Sequence, residues 1–384
     1  MKQFVGINAL KNPFLSPSSP TIPLHLSVPR YAAVKSLRLH GQLSRTSIAE
    51  LTGYSPSRVT GIINELLDEG ILVECDNSEY TGGRRAKDLY FNPDFGYIVA
   101  VIVGTDSLDV ALAGFDEEIR IRRLLPIQLK DGPGSILNAA VKFVSQWLDR
   151  FNIPLDKVYG VGITLTGAVD YHTMTPYESP ELSGWGGYKI DSFFRELFPY
   201  AIVIVDRDTN AMAFGELRRG AGRQHKHFLY VNIGNTINTA IIVNGAIYRG
   251  ASGRAGDISL MLSVPEADKE SQYQLSGNIH PDDIAKAALN GDTNAQKVID
   301  NLAEQVGQGL ATLVNLIDPE MILLGGSAKV LGHPFLALVR RRILGLSQSY
   351  ATQHLQVDLA PLGREATAIG VIALTASAVF VAGA

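Results

Sequence analysis

Continuous apolar runs alternate with polar corners along most of the chain, and this pattern predicts an α/β fold. A strand-turn-strand-turn-strand unit occurs twice, at residues 97–126 and 228–248, and helical segments follow each copy. The duplication predicts two similar α/β lobes with a cleft between them. The predicted strands are Tyr97–Val103, Leu108–Phe115, Ile119–Pro126, Val158–Leu165, Ile202–Val205, Phe228–Ile233, Thr239–Val243 and Ala246–Tyr248, and the longest predicted helices are Ser135–Phe151 and Gln296–Ile317.

The segment Ala201–Glu216 joins a β-branched run to a stretch of helical composition, and Asp208 lies at the polar corner between them. In open α/β sheets, ligands bind beyond the carboxyl ends of such strands. Asp208 is therefore a candidate general base or a hydrogen-bonding partner for a ligand. The structural alternative is that Asp206 or Asp208 only caps the helix that follows.

The N-terminal part of the chain has a different, mainly helical pattern. Residues 1–27 are rich in proline and serine and predict a flexible leader. A first helix is predicted between Val28 and Gly41. Ser44 or Thr46 then caps a short second helix, and Ser55-Pro56 begins a third as N-cap and first residue.

The second and third helices have the spacing of a helix-turn-helix. A small residue, a turn glycine and two apolar residues fall where the two helices must lock together, at Ala49, Gly53, Val59 and Ile62. Two short strands follow, Ile71–Val73 and Asp88–Phe91, joined by a loop with two arginines. This order predicts a winged helix-turn-helix DNA-binding domain at residues 28–92. The alternative is a helical hairpin used for protein contacts.

The predicted DNA-binding residues are the polar and cationic side chains on the outward face of the helix-turn-helix and in the wing. An exposed helix that begins with Ser, Arg and Thr can reach base edges and phosphates in a major groove. Arginines in the wing can reach phosphates or the minor groove. The set is Arg45, Ser57, Arg58, Thr60, Asn64, Arg84 and Arg85.

Composition narrows the class of protein. The 384 residues are 46% hydrophobic and 19% charged, which is typical of a soluble globular protein. The net charge of −4 is mild, so any DNA contact must come from a local patch. Cys75 is the only cysteine, which excludes an internal disulfide and a Cys-rich zinc site and favours the reducing cytoplasm. No secretion signal is apparent in the first residues.

The C-terminal segment Ala366–Ala384 has no charge and about the length of a membrane span. Its many Ala and Gly residues favour a helix packed in a soluble core. The alternative is a membrane helix.

Several blocks of the chain resemble the ROK family (repressors, open reading frames and kinases). They include GVGITLTGAVD, VDRDTNAMAFGE, GASGRAGDISLM, GLATLVNLIDPEMILLGG and ATAIGVIAL, and the resemblance extends from about Val28 onward. The chain is similar to the repressor branch, because ROK sugar kinases lack the N-terminal winged helix. The resemblance implies an actin-like (ribonuclease H-like), two-lobed sugar-kinase fold at residues 93–384. It also implies a sugar-type effector in the interlobe cleft that controls operator binding by a homodimer or higher homo-oligomer.

The kinase positions depart from the family pattern. Ile102 stands where the ROK kinases carry an Asp that handles metal and nucleotide phosphate, and an apolar side chain cannot do this. The second phosphate loop, Gly-Thr-Gly-Ile-Gly in the family, is Gly234-Asn235-Thr236-Ile237-Asn238, and its added side chains would crowd a phosphate. Gly325-Gly326-Ser327 matches the adenosine loop, although the fold also needs a Gly-Gly turn there.

The sugar positions are altered as well. Asp208 and Asn210 match the family's catalytic carboxylate and the Asn after it, but Arg207 replaces the preceding Asn. Asp257 replaces a sugar-binding Glu, and Leu260 replaces the following His. Glu181 stands in place of an Asn of the family. The effector is expected to bind near Glu181, Arg207, Asp208, Asn210, Arg254 and Asp257. Arg207 favours an anionic ligand, unless it only pairs with Glu181, Asp206 or Asp257.

The sequence therefore predicts a cytoplasmic DNA-binding transcriptional regulator, a repressor of carbohydrate-utilisation genes with a degenerate sugar-kinase domain. It predicts no catalytic residue, no metal and no cofactor, and as partners operator DNA, a sugar or sugar derivative and a second copy of the chain. One alternative is an ATP-dependent sugar kinase with an accessory DNA-binding domain. Another is a regulator with a decayed effector site, whose lobes serve only dimerisation.

Overall fold

The computed structural model describes residues 24–76, 87–179, 182–234, 236–258 and 281–382. Their contacts divide the chain into two compact units. The described residues up to Asp206 and from Val371 onward form the first unit, and residues from Arg207 to Gly370 form the second.

In chain order the strands and helices are β1 Leu24–Leu26, α1 Val28–His40, β2 Leu43–Ser44, α2 Arg45–Thr52, α3 Pro56–Asp68, β3 Leu72–Asp76, β4 Lys87–Phe91, β5 Tyr97–Val103, β6 Ser107–Gly114, β7 Ile119–Pro126, α4 Pro133–Arg150, β8 Val158–Leu165, β9 Val169–Asp170, β10 Thr175–Pro176, α5 Ile190–Leu197, β11 Ile202–Arg207, α6 Asp208–Arg219, β12 Phe228–Ile233, β13 Ile237–Val243, β14 Ala246–Tyr248, α7 Pro281–Leu289, α8 Thr293–Ile317, β15 Met321–Gly326, α9 Ala328–Leu346, α10 Ser349–Thr352, β16 Gln356–Leu359, α11 Glu365–Val379 and β17 Phe380–Ala382. Three 3-10 turns lie at Leu129–Asp131, Leu155–Lys157 and Ala221–Gln224.

The first unit begins with the helices and strands predicted for a winged helix-turn-helix. The Ser44 hydroxyl accepts the Ser47 N–H at 3.1 Å and so caps α2. The Ser55 hydroxyl accepts the Arg58 N–H at 3.4 Å and caps α3, with a proline in its first turn. Strands β2, β4 and β3 form an antiparallel sheet. The predicted order of helices and strands is therefore present, and residues 77–86 of the wing lie outside the described part.

The structure corrects the predicted C-terminal limit of the flexible leader. Leu24–Leu26 are not part of a flexible segment but form β1, which pairs in parallel with β17. The Leu26 side chain is buried. A strand forms here because its partner, at the other end of the described chain, supplies the hydrogen bonds that a local pattern cannot reveal. The remainder of the predicted leader, residues 1–23, lies outside the described residues.

Two five-stranded sheets with the same plan confirm the predicted duplication. The first unit has the strand order β11-β8-β5-β6-β7, and the second has β14-β13-β12-β15-β16. In each sheet the central strand pairs antiparallel with one neighbour and parallel with the other. The buried apolar residues of each unit collect around its own sheet and helices, so each unit has its own core.

An aromatic cluster fixes the winged-helix elements to the sheet of the first unit. Phe91 ends β4, and its ring lies 5.8 Å from that of Phe380 in β17. Phe380 in turn contacts Phe115 at 5.2 Å, and Phe95 contacts Phe115 at 5.7 Å and Tyr159 of β8 at 5.4 Å. These rings remove a large apolar area from water and therefore hold the two parts together.

A buried ion pair strengthens the same junction. Arg38 of α1 donates from Nη2 to Oε1 of Glu117, in the β6–β7 turn, at 2.7 Å. The same nitrogen donates to the Ala373 carbonyl at 3.0 Å and the Ser377 hydroxyl at 3.1 Å, both on α11. The Arg38 and Glu117 side chains are only 10% and 6% exposed. Helix α1 is therefore bound to the β6–β7 turn and to α11.

The apolar C-terminal segment is a helix as far as Val379 and then becomes strand β17. Most α11 residues from Ala366 onward are buried, as expected for a helix that is apolar on all sides. Within the described part of the chain, no helix combines the length and the apolar character needed to span a membrane.

Candidate functional site

The outward face of α3 carries the residues predicted to read DNA. Ser57, Arg58, Thr60 and Asn64 are all exposed. The opposite face is buried, through Val59, Ile62, Ile63 and Leu66. The apolar residues recur at helical spacing and pack α3 against α1 and α2. The polar residues between them therefore lie on the opposite, exposed face. The structure thus brings four of the seven predicted DNA-binding residues onto one exposed helix face.

Arg58 is held in place by a neighbouring aromatic ring. Its guanidinium carbon lies 4.7 Å from the centre of the Tyr54 ring, in the turn before α3. A cation over an aromatic face is attracted by the electrons of the ring, and this contact restricts the conformations of the arginine side chain. Arg58 is therefore partly pre-oriented at the start of the helix. The sequence analysis did not identify Tyr54, although an aromatic residue four positions before an exposed arginine was a usable signal.

Arg45 belongs to an ion-pair network rather than to an open surface. Its Nη1 lies 2.6 Å from Oε1 of Glu74 in β3, and Oε2 of Glu74 accepts from Nζ of Lys87 at 2.9 Å. Arg45 Nη2 also donates to Oδ1 of Asn64 at 3.4 Å. Hydrogen bonds from Lys87 and then Arg45 lower the pKa of Glu74 below its usual value. Two predicted DNA-binding residues, on α2 and α3, therefore touch each other.

Arg84 and Arg85, the remaining predicted DNA-binding residues, lie outside the described residues. So does Glu181 among the predicted effector residues.

Arg207 joins two segments of the second unit. The side chain is 3% exposed, and Nη1 donates to the Ala255 carbonyl at 2.9 Å. Nη2 donates to Oδ1 of Asn238, at the start of β13, at 3.5 Å. The guanidinium thus links the start of α6 to the loop that follows β14 and to the start of β13. This contact with a backbone carbonyl had no sequence signature.

Asp208 is the first residue of α6, and one of its two carboxylate oxygens accepts hydrogen bonds. Oδ1 accepts the Thr209 N–H at 2.6 Å and the Thr209 hydroxyl at 3.0 Å. Oδ2 has no hydrogen bond to the described residues. Burial raises the pKa of Asp208, while the Thr209 hydroxyl, the Arg207 charge and the Thr209 N–H oppose the rise. One carboxylate oxygen therefore binds the adjacent Thr209, although Arg207 and not Asp208 is the N-cap residue of α6 and no side chain caps this helix.

Asn210 follows on the first turn of α6 and is buried, with 1% of its surface exposed. Its side chain lies inside the unit and not on an open surface.

The loop after β14 carries Arg254 and Asp257, both exposed. It is fixed at Gly256, whose φ of 85° favours glycine and whose carbonyl accepts the Thr239 N–H at 2.9 Å. A Cβ atom at Gly256 would collide with the Thr239 carbonyl. Gly256 and Arg207 therefore hold the two exposed residues in a loop docked on β13.

The loop at 178–187 of the first unit is shaped by a residue that the sequence analysis missed. The Glu178 carboxylate accepts the N–H groups of Gly184 at 2.9 Å and Gly186 at 2.8 Å. These two bonds lower the pKa of Glu178. Trp185 is fully buried and donates from Nε1 to the Leu129 carbonyl at 3.2 Å. Glu178, Gly184, Trp185 and Gly186, the described residues on either side of 180–181, are therefore held by these contacts.

Ile102 has one acidic neighbour across the sheet, Asp109. Ile102 is opposite Asp109 on β6, so the two side chains share a face of the sheet. The Asp109 carboxylate, however, accepts from Nε of Arg122 at 2.9 Å and from Nη2 at 2.6 Å. It is thus already neutralised. No group of three or more metal-ligating side chains occurs within the described ranges.

Gly325 and Gly326 have a packing role. A Cβ atom at Gly325 would collide with the Tyr230 hydroxyl and lie 2.5 Å from Cζ of that ring. Tyr230 is 1% exposed, and burial raises its pKa. Gly326 has a φ of 63°. The Gly-Gly turn is therefore required by the buried tyrosine and by backbone geometry, whether or not a nucleotide binds.

The two α/β units have the same strand order, and they follow helices and strands in the order of a winged helix-turn-helix. The ROK family profile matches residues 98–271 and 267–378. The chain belongs to the ROK family.

Two curated relatives represent the two branches of the family. The xylose repressor of Caldicellulosiruptor bescii is 25% identical over 368 residues, which cover 87% of this chain and 92% of that relative. The glucokinase of Halalkalibacterium halodurans is 25% identical over 309 residues, 71% of this chain and 93% of the kinase. The repressor is matched over more of this chain than the kinase.

A solved structure shows the same fold. The crystal structure of a ROK family transcriptional regulator, described as a homologue of the E. coli MLC protein, superposes with a TM-score of 0.74 at 21% identity. It covers 92% of this chain and 96% of the other. At this identity the comparison establishes the fold.

Proposed function

We propose that the protein is a transcriptional repressor of carbohydrate-utilisation genes, which binds operator DNA and is released by a sugar-type effector. The observation that carries the proposal is the exposed polar face of α3, with Arg58 stacked on Tyr54. A ROK repressor relative matched over 87% of this chain supports the same function. Such a protein acts in the cytoplasm, where operator DNA lies, and as a homodimer on a palindromic site.

Replacing Arg58 by Ala will weaken DNA binding about 10-fold to 100-fold, because a base-edge or phosphate contact is lost at the start of α3. The probe is a 30-base-pair duplex selected from a randomised pool by the wild-type protein, and the measurement is fluorescence anisotropy at several salt concentrations. Lys35→Ala is the matched control, since it removes an exposed cation from α1. Equal losses in the two variants would count against a role of α3 in reading DNA.

We infer that the effector binds in the second unit, at the start of α6 and the loop after β14. Oδ2 of Asp208 supplies an acceptor for a sugar hydroxyl, and the docked loop brings Arg254 and Asp257 to the same part of the unit through Arg207. A carboxylate hydrogen bond to a hydroxyl is stronger than a neutral one. Arg207 acts mainly by positioning, because its guanidinium already binds the Ala255 carbonyl.

Replacing Asp208 by Asn will reduce effector-driven release of DNA at least about 10-fold, because a charged hydrogen bond becomes neutral. DNA affinity without effector will change little. A thermal-shift screen of pentoses, hexoses, N-acetylated amino sugars and sugar phosphates, beginning with xylose, first identifies the ligand. Asp300→Asn, an exposed site on α8, removes the same charge and serves as the control. If no sugar raises the melting temperature, the decayed-site alternative is favoured.

We propose that the protein does not transfer phosphate. Asp109, the carboxylate beside Ile102, is neutralised by Arg122, and phosphoryl transfer needs charge neutralisation by metal held at such a position. Incubation with ATP, Mg²⁺ and a panel of hexoses tests this. Sustained formation of sugar phosphate would favour the kinase alternative.

A further inference from the structure

The sheet formed by β2, β4 and β3, here called the wing sheet, places Glu74 in line with two apolar residues on neighbouring strands. In the register of β2, β4 and β3, Leu43 lies opposite Leu89, and Leu89 lies opposite Glu74. Leu89 is fully buried, and the Glu74 side chain is 24% exposed. A carboxylate loses hydration at such a position unless cations replace the lost water. Its two cationic partners, Arg45 and Lys87, meet this requirement.

The same carboxylate connects three elements of the DNA-binding surface. One oxygen binds Arg45 of α2 at 2.6 Å, and the other binds Lys87 of β4 at 2.9 Å. Arg45 extends the network to α3 by donating to Oδ1 of Asn64. Thr60 and Asn64 belong to the exposed face that we propose to read DNA. Glu74 thus acts on that face through Arg45.

The hydrogen bond from Arg45 at 3.4 Å favours one orientation of the Asn64 amide. Because Oδ1 receives the guanidinium, Nδ2 is left as a donor toward solvent. Oδ1 keeps a second lone pair, so Asn64 can still accept from and donate to the edge of one base, as Asn does with adenine. A fixed amide distinguishes bases better than a rotating one, because only one arrangement of donor and acceptor is presented.

The charge of Glu74 also limits contacts that carry no sequence information. Arg45 and Lys87 are two cations bound to one anion, and without the anion each could bind a phosphate of any duplex. Phosphate contacts raise affinity for all sequences equally. A single carboxylate behind the surface therefore lowers general DNA affinity and orients a base-reading residue.

We propose that Glu74 is a specificity-determining residue of the DNA-binding surface, acting as a positioning residue through Arg45 and Asn64 without touching DNA. This inference rests on the proposed function. It assigns to β3 a role in choosing the DNA sequence, in addition to its role in the wing.

The test is Glu74→Gln in the full chain, which keeps the side-chain shape and removes the charge. Two 30-base-pair duplexes are the probes: one selected from a randomised pool by the wild-type protein, and one unselected duplex of equal base composition. We expect binding to the unselected duplex to strengthen about 3-fold to 5-fold. The slope of log affinity against log salt should steepen by about one. The ratio of selected to unselected affinity should fall about tenfold.

A repeated selection with the variant gives a readout that a purely structural role would not move. We expect one base position to lose its preference while the others keep theirs. Glu50→Gln is the matched control, since Glu50 is exposed on α2 and its loss changes the charge equally. Glu74→Met is a second variant, because a thioether suits a position beside Leu89. Its melting temperature shows whether the sheet remains folded.

Three results would overturn the inference, and the third differs from the first two in its meaning. If the wild-type protein selects a sequence but Glu74→Gln behaves like Glu50→Gln, Glu74 only stabilises the wing. The same conclusion follows if both affinities fall equally at an unchanged salt slope. If the wild-type protein selects no sequence at all, the proposed DNA-binding function fails, and the role of Glu74 fails with it.

Discussion

Replacing Arg38 by Met will lower the free energy of unfolding by about 3–5 kcal/mol, the usual result of removing one member of a buried ion pair. Glu117 is 6% exposed, and the Arg38 guanidinium lies 2.7 Å from its carboxylate. Loss of the guanidinium removes a cationic partner from a carboxylate that is shielded from water. It also leaves the Ala373 carbonyl and the Ser377 hydroxyl without this donor. Urea denaturation followed by circular dichroism measures the change.

A second arginine on α1 provides the matched control. Arg30 pairs with Glu69, and the two side chains are 19% and 47% exposed, so water reaches the carboxylate of this pair far better than that of Glu117. Arg30→Met should therefore cost less than Arg38→Met. The double variant Arg38→Met with Glu117→Gln should recover part of the loss, because the uncompensated charge is gone. Equal costs for both arginines would show that the junction does not depend on the buried pair.

We also expect the junction to influence the proposed DNA recognition. A dimer recognises two half-sites at a fixed spacing only if each DNA-binding head keeps a fixed orientation on its own protomer. Arg38, Glu117 and the rings around Phe380 supply that rigidity within the first unit. A folded Arg38→Met variant should accordingly tolerate a wider range of half-site spacings, which a series of selected duplexes with altered spacing measures.

Long apolar runs made most of the fold predictable. Strands β8 and β12 have the limits that the sequence indicated, because each is buried between two layers and ends at a glycine or polar turn. Strand β1 was missed because it has three residues and depends on a partner at the far end of the described chain. The C-terminal helix was predicted too long, because Phe380–Ala382 form a strand that pairs with β1 and do not continue the helix. Both differences arise from one long-range contact.

The candidate site was predictable where side-chain direction follows from periodicity. Arg58 and Asn64 are exposed on α3 because apolar residues at helical spacing fix the opposite face. The partner of Arg45 could not be predicted, because it depends on how α2 packs beside β3. Likewise, the bond from Arg207 to the Ala255 carbonyl was not predicted from the sequence. Any residue has a carbonyl, so sequence cannot mark this partner.

Replacing Gly325 by Ala will cost roughly 3 kcal/mol of stability, at the upper end of the usual range for overpacking in a core. The added Cβ atom would collide with the Tyr230 hydroxyl, and Tyr230 is buried and cannot move into solvent. Gly325 belongs to the turn that resembles the adenosine loop of ROK kinases. If glycine is required here to leave room for the Tyr230 ring, its presence is no evidence for nucleotide binding. Thermal and urea unfolding of the variant measure the effect.

A companion change separates packing from ligand binding. Tyr230→Phe removes the hydroxyl oxygen nearest to the new methyl group, so the double variant should recover part of the stability lost by Gly325→Ala. Recovery remains incomplete because Cζ still lies 2.5 Å from the Cβ position. Gly345→Ala is the control: no atom lies within 4 Å of its Cβ position, and α9 should gain up to about 1 kcal/mol. If Gly325→Ala were as harmless as Gly345→Ala, packing against Tyr230 would not explain this glycine, and the nucleotide interpretation of the turn would regain support.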